Sequence, residues 1–214
     1  MQRYSDCIEY FAFLLFNSDF MFRLKLPTDP RWANIAEKNI QEILTDHAFC
    51  EQKAATTAIT LITQFPEKTE LVIAMANLAR EEMEHFQRVH EILVKRGYTL
   101  GKERRDEYVN DLASFIFQSG YGREEFLVNK LLFAAIIEAR SCERFKVLSE
   151  NINDKELADF YRDLMVSEAN HYTMFIRFAR KYAKNYDVDK RWQEILDQEA
   201  IIISKYGNKE LIHG

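Results

Sequence analysis

From residue 40 onward the chain returns an apolar side chain every third or fourth position, the period of a helix packed along one side. The first such stripe reads Ile40, Leu44, His47, Glu51, Ala54, Ala58, Leu61, and the second Leu71, Met75, Leu78, Glu82, His85, Val89, Ile92. A third reads Leu127, Leu131, Ala134, Glu138, Ser141, Phe145, Leu148, and a fourth Leu157, Tyr161, Leu164, Glu168, His171, Phe175, Phe178. The stripes predict long helices over about 32–64, 67–96, 123–150 and 154–184, with Pro66 ending the first and Gly97 the second. Residues 98–121 then form a long crossover holding a short helix over Asp106–Gln118, closed by Gly120 and Gly122. A last helix is expected near 188–205, and Pro27 and Pro30 mark an irregular lead-in. Alternation of the strand type is nowhere long enough to use, so the fold class is all-α. The expectation is one domain over 1–214: a four-helix bundle core over 32–184 with extensions at 1–30 and 188–205.

The stripes contain charged residues where a core should be apolar. Glu51 is followed by Glu82-Met83-Glu84-His85, and Glu138 by Glu168-Ala169-Asn170-His171. Side chains three apart share a helix face, so each Glu-x-x-His presents a carboxylate and an imidazole together. Counting from the turn at Pro66, Glu51 and Glu82 stand at the same height, roughly 22–25 Å away at 1.5 Å per residue. The turn at Asn151-Ile152-Asn153 does the same for Glu138 and Glu168. All four glutamates therefore meet midway along the bundle. The bland alternative, surface glutamates and satisfied core histidines, does not account for a duplicated set that keeps its phase.

Four buried carboxylates without partners would cost several kcal/mol each. Two divalent cations cancel the four charges, and two neutral imidazoles complete the shell, so the charge count predicts two metals. Oxygen-rich donors with one histidine per metal suit iron(II) or manganese(II), whereas structural zinc takes more thiolate and imidazole. Single glutamates on two helices and Glu-x-x-His on two more resemble the ligand set of ferritin-like di-iron carboxylate proteins.

Composition agrees with a helical bundle. The 214 residues include only 6 glycines and 3 prolines, and nothing approaches an 18-residue apolar run. Tyr10–Phe16 is apolar but follows Asp6 and Glu9 and lacks a small-residue cleavage site, so it is expected to pack on the bundle rather than act as a leader. The three cysteines, Cys7, Cys50 and Cys142, form no Cys-x-x-Cys pair, which points to reduced thiols in the cytoplasm, buried as small apolar groups.

Several neighbours of the six residues are open to two readings. His47 is expected to be a satisfied core histidine, with a role as a partner or gate for Glu51 as the alternative. Glu81, Glu84 and Glu143 lie off the stripe and are expected to face solvent or pair with arginines. Tyr161 is expected to pack, with a hydrogen bond near the metals as the alternative. Ala54, Ala55, Ala58, Ala134 and Ala135 thin two helices, either for close packing or to leave room for a substrate.

Asp29-Pro30-Arg31-Trp32, Asp46-His47-Ala48-Phe49-Cys50-Glu51-Gln52-Lys53-Ala54-Ala55, Arg80-Glu81-Glu82-Met83-Glu84-His85-Phe86 and Ile137-Glu138-Ala139-Arg140-Ser141-Cys142-Glu143-Arg144-Phe145 resemble the MiaE family of tRNA hydroxylases. The likeness runs over about 27–184, and the N-terminus and last helix look divergent. It implies O2-dependent hydroxylation of the isopentenyl group of 2-methylthio-isopentenyladenosine beside the tRNA anticodon. It also implies two iron ions on Glu51, Glu82, His85, Glu138, Glu168 and His171. The chain has no flavin, nicotinamide or iron–sulfur motif, so the two electrons would come from a separate reductase or ferredoxin.

Other classes fit part of the pattern. A bacterioferritin-like ferroxidase shares the ligand set but not the crossover and extra helix. A demethoxyubiquinone-type hydroxylase would add an apolar membrane face, and a rubrerythrin-like peroxidase would need the missing Cys-x-x-Cys module. A net charge of −5 and pI of about 5.6 do not advertise nucleic-acid binding. The basic runs Lys102-Glu103-Arg104-Arg105 and Arg177, Arg180, Lys181, Lys184 read first as solvated faces, with a tRNA surface as the alternative. A modified base must leave its stack to reach a buried metal pair.

Overall fold

The computed structural model describes residues 22–206 and 211–213, and within them seven helices and no strand. In chain order these are α1 (Trp32–Lys38), α2 (Ile40–Gln64), α3 (Thr69–Lys95), α4 (Glu107–Ile116), α5 (Arg123–Asn151), α6 (Lys155–Tyr182) and α7 (Val188–Tyr206). Helices α2 and α3 pair antiparallel, as do α5 and α6, while α4 packs on α7. The expected apolar segment 10–16 and Cys7 lie outside the described residues.

Local chemistry explains the boundaries. Asp106 and Asp154 cap α4 and α6 by accepting the amides of Val109 and Leu157 at 3.1 and 3.0 Å. Gly97 takes a left-handed φ of 75° just past the end of α3, which stops that helix, and Gly120, at φ 98°, makes the turn between α4 and α5. One expectation fails: the helix expected over 32–64 is broken at Asn39, with φ −133° and ψ 44°. The Asn39 amide side chain donates to the Ile35 carbonyl at 2.8 Å, so it competes with the backbone for the acceptor that a continuous helix would use.

Every residue of the third and fourth stripes is buried, but Ile40, Ala54 and Ile92 on the first two are only half-buried. Helix α5 is buried nearly all round, from Leu127 to Ser149, because α1, α4 and α7 cover the faces that α6 leaves open. The apolar core falls into two clusters. One holds Leu61, Leu71, Met75, Leu131 and Phe175; the other holds Leu44, Val89, Phe145, Leu148 and Leu164. The layer between them is polar, and it contains the six residues of the two Glu-x-x-His sets.

Candidate metal centre

Helix α2 supplies Glu51, α3 Glu82 and His85, α5 Glu138, and α6 Glu168 and His171; none is more than 5% exposed. Donor atoms of Glu51, Glu82, His85 and Glu168 all lie within 4.8 Å of one another, and so do those of Glu82, Glu138 and His171. Glu82 belongs to both groups, so its carboxylate stands between two adjoining positions. His85 Nδ1 lies 3.3 Å from Glu82, 3.9 Å from Glu168 and 4.0 Å from Glu51.

These atoms lack ordinary partners. Both oxygens of Glu82, Glu168 Oε1, His85 Nδ1 and both nitrogens of His171 are buried without a hydrogen bond. His171 Nδ1 lies 2.9 Å from Glu82 Oε1, yet their alignment makes no hydrogen bond. Native interiors seldom leave so many polar atoms unmatched in one place. Donors gathered this closely and left without hydrogen bonds fit metal ions.

Charge leads to the same answer. Burial, followed by repulsion from facing carboxylates, pushes the Glu51 and Glu168 carboxyls well above the usual carboxylate range, and burial also raises Glu138. Glu82 moves the other way, because His171 and His85 outweigh its burial and favour the carboxylate. Burial works against a charged His171 too, but Glu81 and Glu82 push it up to about 10. Without metal the layer therefore stores protons, and two divalent cations would take their place.

The neighbours meet the sequence expectations at Tyr161, Glu84 and Glu143 and depart from them at His47 and Glu81. His47 Nε2 lies 2.6 Å from Glu51 Oε1, with Nδ1 unpartnered, so the expectation of a satisfied core histidine gives way to a partner of Glu51. Burial first, then the charge of His85, lowers its pKa to about 3, so a neutral ring shares the hydrogen bond with Glu51. Tyr161 stacks on that ring at 5.5 Å as a packing tyrosine, although its hydroxyl has no partner. Glu84 pairs loosely with Arg80, at 3.9 Å. Glu81 reaches across to His171 Nε2 at 3.4 Å and accepts from Ser167 Oγ at 2.5 Å, so it does not simply face solvent. Glu143 is buried and bound to Arg140 at 3.0 Å. Burial raises the thiols of Cys50 and Cys142, which keeps them protonated and unreactive.

A cavity of about 130 Å³ reaches Glu138. Ala54, Phe133, Ala134, Ile137 and Phe175 form its apolar wall, and Cys50, Lys53, Asp106 and His213 its polar end. Ala55, Ala58 and Ala135 instead lie buried, as close packing expects, while Ala54 and Ala134 border the open space. His213 was invisible to helical periodicity. It is 3% exposed, lies 2.9 Å from Ser141 Oγ and 3.4 Å from Asp106, and follows Ile212, whose amide donates to Asp46 at 2.7 Å. Helix α7, expected as a helix but divergent from the family motifs, supplies Glu199, which pairs with Arg140 at 2.7 Å, two residues past Glu138.

A long-helix bundle with a layer of four glutamates and two histidines at mid-height defines the ferritin-like class of di-iron carboxylate folds. A solved structure agrees: a protein from Synechococcus described as having aldehyde deformylating oxygenase activity superimposes with a TM-score of 0.81 and 30% identity, over 89% of this chain and 95% of that one. The sequence profile described as "tRNA-(MS[2]IO[6]A)-hydroxylase (MiaE)" matches residues 17–214, and the chain belongs to that family. Two curated relatives are named tRNA 2-(methylsulfanyl)-N(6)-isopentenyladenosine(37) hydroxylase. The one from Pseudomonas putida is 36% identical over 77% of this chain and 78% of its own length. The one from Salmonella typhimurium is 27% identical over 84% and 83%. The match thus extends through α7, beyond the 27–184 expected from the motifs alone. No helix among the described residues is long and apolar enough to cross a membrane.

Proposed function

We propose that this chain hydroxylates the isopentenyl group of 2-methylthio-isopentenyladenosine in tRNA, beside the anticodon, with two irons held by Glu51, Glu82, His85, Glu138, Glu168 and His171. The observation that carries this is the pair of buried donor groups joined through Glu82, in a chain whose family is named for the reaction. Glu51, His85 and Glu168 would hold one ion, Glu138 and His171 the other, with Glu82 between them. When bound, the iron pair supplies the redox chemistry that divides dioxygen between the substrate and water, using two electrons and two protons.

The protein's own residues do the rest. His47 fixes one oxygen of Glu51 and Glu81 steadies His171, so the donors are held before a metal arrives. The apolar wall beside Glu138 receives a small branched alkenyl group and keeps bulk water from it. Electrons come from a separate reductase or ferredoxin, and the protein works in the cytoplasm, where tRNA and reduced thiols are found.

Nucleoside mass spectrometry of tRNA from cells with and without the gene tests the reading. Loss of the hydroxylated nucleoside, with its precursor accumulating, is expected. Unchanged tRNA would overturn it.

A further inference from the structure

The cavity beside Glu138 is too small for a nucleoside. Its volume of about 130 Å³ takes a five-carbon side chain but leaves the ribose and the flanking phosphates outside. If this cavity is the route of the substrate, which rests on the function proposed above, an RNA backbone must lie across its mouth. A polyanion there requires cations in the same place, because phosphate neutralisation supplies most of the affinity for nucleic acid. The chain as a whole cannot provide the attraction, since its net charge is −5.

The polar end of the cavity is lined by Lys53 on α2, whose side chain is 42% accessible, and by Asp106, where the loop leads into α4, and we take this end as the mouth. That loop contains Lys102, Arg104 and Arg105. It is tied to α2 along its length: Gln41 Nε2 donates to the Thr99 carbonyl at 3.3 Å, the Gly101 amide to Thr45 Oγ1 at 3.3 Å, and Arg104 to the Glu42 carbonyl at 3.4 Å. Lys53 and Glu103 close the series at 2.9 Å. Gly101 lies so near α2 that a Cβ there would stand 3.1 Å from Thr45 Cγ2. A loop secured at this many points presents its charges in one arrangement. Lys102 and Arg105 stay exposed in that arrangement, Arg105 with a side chain 75% accessible even beside Glu107.

We infer that Lys102 and Arg105, on a loop pinned to α2 at the cavity mouth, contact the phosphates flanking the modified adenosine and form part of the tRNA-binding surface. The second basic run supplies a control. Arg177 and Arg180 line a different groove, between α6 and α7, where Arg180 already pairs with Asp189 at 2.7 Å.

The test uses the iron-loaded protein and a prenylated anticodon stem-loop RNA, with binding followed by fluorescence anisotropy over a range of salt concentrations. The double variant K102E/R105E should bind about tenfold more weakly or worse, with a shallower dependence of affinity on salt, because fewer counterions are released. R177E/R180E should bind like the wild type. Equal affinity of K102E/R105E and wild type, or an equal loss in R177E/R180E, overturns the inference while leaving the hydroxylase reading intact. Wild-type protein that neither binds nor hydroxylates the RNA overturns that reading and this surface together.

Discussion

His47 Nε2 and Glu51 Oε1 share a hydrogen bond of 2.6 Å, and both side chains are shut away from solvent. Glu51 therefore has one oxygen committed to the protein and one free for a metal. Replacing His47 with Leu removes that restraint without adding charge. Iron affinity should fall about 10- to 100-fold, the usual cost of losing such a partner, while the far-ultraviolet dichroism stays helical. Iron titration of the variant checks this, and wild-type affinity would show that the contact is packing only.

Glu51 and Glu138 each belong to one donor group and not the other. Glu51→Ala and Glu138→Ala should each bring turnover to background and lower bound iron below two per chain, with the bundle still folded. Near-normal activity in either variant would remove that residue from the ligand set.

The metal-free layer should make stability depend on pH in a particular direction. Glu51, Glu138 and Glu168 have raised pKa values through burial, so the folded chain holds protons that the unfolded chain releases. Their contribution is complete below the ordinary carboxylate pKa and is lost as pH rises. His171, raised to about 10, adds in the same sense: full below the ordinary histidine value and gone as pH passes 10. Glu82 is lowered and Glu81 is lowered to about 2, so these two matter only at the acid end. Scanning calorimetry of the apoprotein should therefore show Tm falling from pH 6.5 to 10, and added manganese(II) should restore it with release of protons. A Tm that rises with pH would contradict the proton-storing layer.

How much of this could be read from the sequence depended on the range of the constraint. The six site residues obey a helical period and two turns, both local, so their meeting point followed from counting. Glu81 sits off the stripe, which predicts solvent or an arginine partner and not His171, because periodicity tracks Cα direction and not the reach of a long side chain toward another helix. His213 escaped because nothing local distinguishes it: its role comes from Ser141 and Asp106, far away in sequence. Helix α5 shows why stripes alone mislead. It is buried on nearly every side, so Arg140 and Arg144, which look like surface residues, lie inside the protein.

Filling the cavity should separate substrate access from metal binding. Ala134 lines it one turn before Glu138, and Ala134→Leu would occupy the space of the alkenyl group. Turnover of prenylated RNA should drop by about tenfold or more, given what a few methylenes are worth in an apolar pocket, with iron content unchanged. Full activity would place the substrate route elsewhere.

The buried Arg140 network should be asymmetric under mutation. Arg140 bonds Glu199 at 2.7 Å and Glu143 at 3.0 Å, and Tyr108 also donates to Glu199, at 3.1 Å. Arg140 and Glu199 are fully buried. Removing the arginine strands two carboxylates, of which Glu143 keeps the Thr28 amide and hydroxyl while Glu199 keeps only Tyr108. Glu199→Gln keeps the Oε1 that accepts from Arg140 and Tyr108 and places amide hydrogens where Oε2 has no partner, while Arg140 retains Glu143. Arg140→Met should thus cost about 3–5 kcal/mol, as an unpaired buried charge does, and Glu199→Gln distinctly less. Urea denaturation of the two variants gives the order directly. If Glu199→Gln proves the more damaging, the anchor between α5 and α7 lies in the carboxylate's charge and not in the guanidinium that serves two partners.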